Sequence, residues 1–165
     1  MRKTKKMIIF TVAAYAWAAC LDQAAPARDG RSTGGKQTMQ ITIKAKDTGQ
    51  TILFNLNDSQ AARDLVQQLP ITTTIEDYGS NEKIFYPPLK LNTADTPLAK
   101  NIRAGTLAWY APWGDVVLFY DTFRSANGLY ALGQAASGTE LIQRLSGTIQ
   151  IEAVDRQPES SISGR

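Results

Sequence analysis

From residue 38 to residue 154 the chain never holds one structural period for long. Runs of four to seven residues with β-branched, aromatic or alternating apolar side chains are cut off, one after another, by Gly, Pro, Asn, Asp and Ser. Such punctuation leaves no length for long helices and favours short antiparallel strands joined by tight turns. Many short strands carry many unpaired edges, and closing the sheet on itself removes them. The expected class is therefore mainly β, a closed or nearly closed barrel of about eight strands with two short helices.

The segments read individually as follows. In residues 39–45, Met39, Ile41, Ile43 and Ala45 share one face and Gln40, Thr42 and Lys44 the other, which is a strand period. Asp47-Thr48-Gly49-Gln50 turns the chain into a second strand over 51–56. Asn57, Asp58 and Ser59 offer helix N-caps, Ala61, Ala62, Leu65, Val66 and Leu69 follow at helical spacing, and Pro70 stops the helix. Strands are expected over 71–75, 83–86, 105–110, 116–120 and 129–132, with a break at 77–81. Ser137 and Glu140 have capping-box spacing for a short helix ending before Gly147, and residues 148–154 form the last strand.

The N-terminus reads differently. Arg2, Lys3, Lys5 and Lys6 precede an uncharged, mostly apolar run over 7–19, the pattern of a secretory signal over 1–20. That run is shorter than the ~20 residues a membrane-spanning helix needs. Ala16-Trp17-Ala18 fits ordinary signal cleavage, whereas Ala18-Ala19-Cys20 resembles a lipobox in which Cys20 is lipidated. The expectation is an exported protein, held to a membrane only through a lipid on Cys20 or else released as a periplasmic or secreted one. Residues 21–37 read as a flexible tether, 38–154 as the folded domain and 155–165 as a disordered tail. Beyond residue 20 the chain carries fourteen basic and fifteen acidic side chains with no basic run, so it lacks the electrostatic footprint of a nucleic-acid binder.

The aromatic turn at 105–121 carries a resemblance. Gly105, Tyr110, Pro112, Gly114, Leu118, Phe119 and Tyr120, then Leu132-Gly133, a helix around 141–145 and Gly147, resemble the small bacterial cyclophilin-like domains over residues 39–154. The resemblance implies a barrel of about eight strands with a helix over each open end. True cyclophilins isomerise prolyl bonds with an Arg at the prolyl amide, beside Phe, Gln, Trp and usually His. This chain has no His, and residues 75–85, where that Arg is expected, contain none. No catalytic residue is carried across, because fold alone does not transmit function.

Elimination narrows the chemistry further. No His, and no Cys beyond Cys20, removes His-based triads, Cys nucleophiles and ordinary zinc ligation, and no cofactor or metal is expected. Glu76-Asp77, Asp115 and Asp121 are acids at turns and strand ends, where caps and solvated charges outnumber acid–base pairs; Asp115 is read as an acceptor within its own turn. Arg103 and Arg124 flank the two strands as solvated charges. The aromatics are the better lead, with Tyr86, Tyr110, Trp113 and Phe119 expected to line a shallow pocket. Trp113 lies in a Pro-Trp-Gly-Asp turn that a core does not require, and an exposed Trp offers contact area at little rotamer cost. The resulting expectation is a non-catalytic binding module of the cell envelope whose ligand is a peptide, sugar or small molecule. The alternatives are a divergent prolyl isomerase and an accessory subunit of an envelope complex.

Overall fold

The computed structural model describes residues 38–154. The expectations placed on residues 1–37 and 155–165, Cys20 among them, lie outside the described residues. Alternation sets the first layer of order. In β1 (Gln40–Ala45) Ile41, Ile43 and Ala45 are buried, and in β2 (Thr51–Leu56) Ile52, Phe54 and Leu56 are. The two pair antiparallel, with Ile43 opposite Ile52. Ser59 then caps α1 (Gln60–Gln67), its Oγ accepting from the Ala62 amide at 3.3 Å. Asn57 fixes that cap by accepting from the Ser59 hydroxyl at 2.6 Å while donating to the Ala131 carbonyl. Ala61, Ala62 and Leu65 form the buried stripe of the helix.

The remaining strands are β3 (Ile71–Thr74), β4 (Glu76–Tyr78), β5 (Glu82–Phe85), β6 (Thr106–Tyr110), β7 (Asp115–Phe119), β8 (Leu129–Ser137) and β9 (Thr148–Ala153). They join β1 and β2 in one nine-stranded sheet of order β3-β9-β1-β2-β8-β6-β7-β5-β4. Every ladder is antiparallel. The two edge strands, β3 and β4, are consecutive in the chain and separated only by Ile75, so the sheet curls until its edges nearly meet. Ile75 is buried at that seam, and its amide donates to the Gly147 carbonyl at 3.0 Å.

Curling divides the apolar residues into two clusters. Inside lie Ile41, Ile43, Phe54, Phe85, Trp109, Leu118 and their neighbours. Each fully buried Leu, Ile or Phe side chain stabilises the fold by about 1.5–3 kcal/mol. On the opposite face of β5, β6, β7 and β8, Ile84, Ala108, Val117, Phe119 and Leu129 form a second cluster with Ala99 and Ile102 from the preceding loop. That loop is fastened to β8 by backbone bonds from Ala99 to Leu129 (2.9 Å) and from Ala131 to Pro97 (2.8 Å).

Four local expectations are corrected. Residues 76–78, placed across a strand end and a break, form β4, held by pairing with β5 and by an Asp77–Lys83 ion pair at 2.5 Å. The strand expected to end at 132 continues to Ser137 because β6 pairs with it as far as Gln134 and β2 as far as Ser137. Ser137 is thereby committed to the sheet opposite Leu53 and supplies no capping box. The helix after it, Thr139–Arg144, is a 3-10 helix entered through Gly138 in a left-handed conformation, and it ends at an extended Leu145 rather than at Gly147.

Candidate functional site

The site begins with a turn. Tyr110 and Asp115 face each other across β6 and β7, with four residues between them. The Gly114 amide donates back to the Tyr110 carbonyl at 2.9 Å, and Gly114 has φ +77. Glycine adopts that left-handed conformation without a Cβ penalty. The tight closure leaves the Trp113 side chain at the edge of the barrel, 51 % exposed.

Alternation along β7 does the rest. Asp115, Val117 and Phe119 point to the outer face, while Val116 and Leu118 fill the interior. Glu82 on β5 sits opposite Phe119 and shares its face. Between this wall and the loops lies a cavity of about 150 Å³. Its floor is Val117, Phe119 and Leu129, all buried, with Asp115 and Glu82 among them. Its rim is Tyr78, Trp113 and Phe123, all exposed. Tyr110, half-buried, connects the two.

Five of the lining side chains are aromatic. Trp113 meets Tyr78 edge-on at 5.1 Å and 88°, and Tyr110 at 5.5 Å and 74°. Phe119 and Phe123 stack at 5.4 Å. The rings brace one another in the geometries that aromatic quadrupoles favour.

The carboxyls are the polar exception. Asp115 is only 2 % exposed, and its Oδ1 has no hydrogen-bond partner among the described residues. Burial pushes its pKa up to about 6 against a partial offset from its own backbone amide. Glu82 is also raised, by burial first and then by the Asp115 charge. Asp115 is therefore a buried carboxyl of the cavity with one oxygen unpartnered, and not simply a turn acceptor. Among the described residues no group of three or more His, Cys, Asp or Glu could hold a metal ion.

The four residues singled out in the sequence separate here. Tyr110, Trp113 and Phe119 line the cavity together, with Phe119 on the floor at 1 % exposure. Tyr86 does not line it and is exposed beyond the end of β5. Its phenol pKa is raised by partial desolvation first and the nearby Asp115 charge second. Arg103 and Arg124 are exposed and outside the lining. Sequence reasoning missed Tyr78, Phe123 and Glu82. Glu82 had a signal: it neighbours an apolar strand on the side where period-two spacing aligns it with Ile84.

Comparison with known proteins adds three findings. A family described as cyclophilin-like matches over residues 43–153. No curated protein matches the chain. The solution structure of the hypothetical protein AF2241 from Archaeoglobus fulgidus superposes with a TM-score of 0.54 at 17 % identity, covering 72 % of this chain and 98 % of that one. At that identity the likeness speaks for the fold alone.

Proposed function

The chain belongs to the cyclophilin-like family, and on that premise we propose that it is a binding module whose outer-wall cavity holds a ligand without transforming it. The observation that carries this reading is an aromatic-walled cavity with a buried, half-unpartnered carboxyl on its floor and an exposed Trp at its rim. Pockets with an apolar lining and few polar groups are the usual form of small-molecule sites. Size refines the class. A cavity of about 150 Å³ is below the ~300–1,000 Å³ of drug-sized sites, so it accepts a fragment or a single side chain. A peptide or sugar would enter by one residue only. For such a ligand a Kd on the order of 0.1–1 mM is the reasonable scale.

Absence of catalysis is supported by the lining itself, which carries two carboxylates and no Arg where prolyl isomerisation needs a guanidinium. The basic start, the apolar run and Cys20 support an exported location with a lipid tether.

The test is titration of the full chain with fragment, peptide and sugar sets, followed by Trp fluorescence, in parallel with Trp113→Ala. Saturable binding that weakens at least tenfold in the folded variant supports the module. A proline-peptide isomerisation assay runs beside it. Acceleration by wild type that disappears in Phe119→Ala, with folding intact, would replace the module with an isomerase.

A further inference from the structure

We propose that the cavity selects an organic ammonium: a small amine, protonated at neutral pH, carried on a compact apolar body. The inference rests on the cavity being a ligand site and adds the chemistry of what enters it.

Charge supplies the first argument. The lining contains Asp115 and Glu82 and no Lys or Arg. Lys83, next to Glu82 in sequence, points to the opposite face of β5 and pairs with Asp77 at 2.5 Å. Lys90, whose Cε passes near Gly114, is exposed and outside the lining. The floor is thus an acidic surface without an internal counter-charge.

Hydrogen bonding supplies the second. Asp115 Oδ1 is buried and unpartnered among the described residues, and Asp115 lines the cavity. Buried acceptors are nearly always satisfied, so a carboxyl that lines a cavity and has no partner on one oxygen favours a hydrogen-bond donor among the ligands that enter. A carboxylate is an acceptor only, which excludes an anionic group there.

The rings supply the third. Tyr110 lies directly across the ladder from Asp115. Trp113 stands at near right angles to both Tyr110 and Tyr78. Tyr78, Tyr110 and Trp113 share this lining with Asp115 and Glu82, and aromatic rings beside carboxylates favour a cation, since a ring face is negative. The apolar body of the ligand then runs over Val117 and Phe119 toward Phe123. A neutral alcohol can donate to the Asp115 carboxyl but gains nothing from the rings' quadrupoles or from the Glu82 charge.

A matched series isolates the charge. The full chain is titrated at pH 7.5 with benzylammonium, benzyl alcohol and benzoate, which share a ring and differ in the polar group. Binding of benzylammonium at least tenfold tighter than benzyl alcohol, with benzoate weakest, is expected. In Asp115→Asn the ammonium should fall to the level of the alcohol while the alcohol is unaffected. Should that variant fail to fold, the wild-type order of the three probes decides alone. If benzyl alcohol or benzoate binds as tightly as benzylammonium, and Trp113→Ala abolishes binding, the cavity is a ligand site but the ammonium inference is overturned. If neither these probes nor the broader fragment, peptide and sugar sets bind, the ligand-site reading falls and takes this inference with it. A further arm with Nα-acetyl-lysine amide identifies the source. Asp115-dependent binding of that probe marks a lysine side chain as a ligand, and binding of benzylammonium alone marks a free amine.

Discussion

Asp115 and the two tryptophans flanking the turn show how differently single residues of one hairpin are used. A carboxyl whose pKa rises from 3.8 to about 6 on folding is bound more tightly by its proton in the folded chain. The stability this contributes is complete below about pH 3.8 and is lost as the pH rises through about 6. Relative to Asp115→Asn, the wild type should therefore lose stability on the order of 3 kcal/mol between pH 3.5 and pH 8. Urea denaturation of both proteins at the two pH values measures it, and parallel pH profiles would show that burial leaves the carboxyl unperturbed. Trp109 and Trp113 make the second contrast. Trp109→Ala empties a fully enclosed position and should cost about 3–5 kcal/mol, whereas Trp113→Ala removes a side chain that is half in solvent and should cost about 1 kcal/mol or less. Thermal melts of the pair, run with the binding titration, separate a rim residue from a core residue. Alternation made this division readable in advance: Leu107 and Trp109 point one way, Ala108 and Tyr110 the other. It could not show that Asp115 is enclosed, because enclosure comes from loops distant in sequence.

Among the elements, β8 departs most from local preference. Its second half, Gly133 to Ser137, has small and polar side chains that by themselves suggest a loop. The residues are extended because β2 pairs along them to Ser137 and β6 joins at Gly133 and Gln134, and strand propensity is largely a record of such packing. Gly133 is where the crowding is worst. A Cβ there would meet the Asn55 carbonyl oxygen at 2.2 Å and the Leu56 Cα at 2.9 Å. Both are backbone atoms, so relief requires β2 and β8 to separate. Gly133→Ala is expected to cost about 2–3 kcal/mol and to speed amide exchange along β2, which hydrogen exchange would detect. Unchanged protection in β2 would mean that the ladder accommodates a methyl. The 3-10 helix shows the opposite dependence. Its apolar pattern was legible, but its cap was not, since whether Ser137 could serve depended on where β8 ended. α1 was legible at both ends because Ser59 and Pro70 act within the chain's own neighbourhood.

Over the whole molecule, closure decides where a ligand can be held. Trp109, Phe54, Phe85 and Leu118 occupy the barrel interior, and the aromatic cavity lies instead on the outer wall, where loops rise above β5, β6 and β7. Barrel class was readable from the rhythm of strands and turns. Closure through Ile75 alone was not, because residues 71–78 divide into two edge strands only once their separate partners, β9 and β5, are in place. The same topology sets the ends of the described chain side by side. β1 pairs with β9, and the Val154 amide donates to the Gln40 carbonyl at 3.0 Å. A short Gly/Ser linker from Val154 to Thr38, with new ends opened in the exposed turn before Gly49, should give a circular permutant whose fold and ligand binding match the parent. Loss of cooperative unfolding in that permutant would show that the β1–β2 turn organises the barrel.

The position of that strand pair has a further consequence. Around the barrel, β2 stands between β1 and β8, the first cavity-lining strand on one side, and β3 stands between β9 and β4, the first on the other. The described chain therefore enters at β1 and leaves at β9, two strands that do not line the cavity. A label attached at Thr38 or Val154 is therefore separated from the nearest cavity-lining strand by a full strand in either direction around the sheet, and Trp113 is left clear of it.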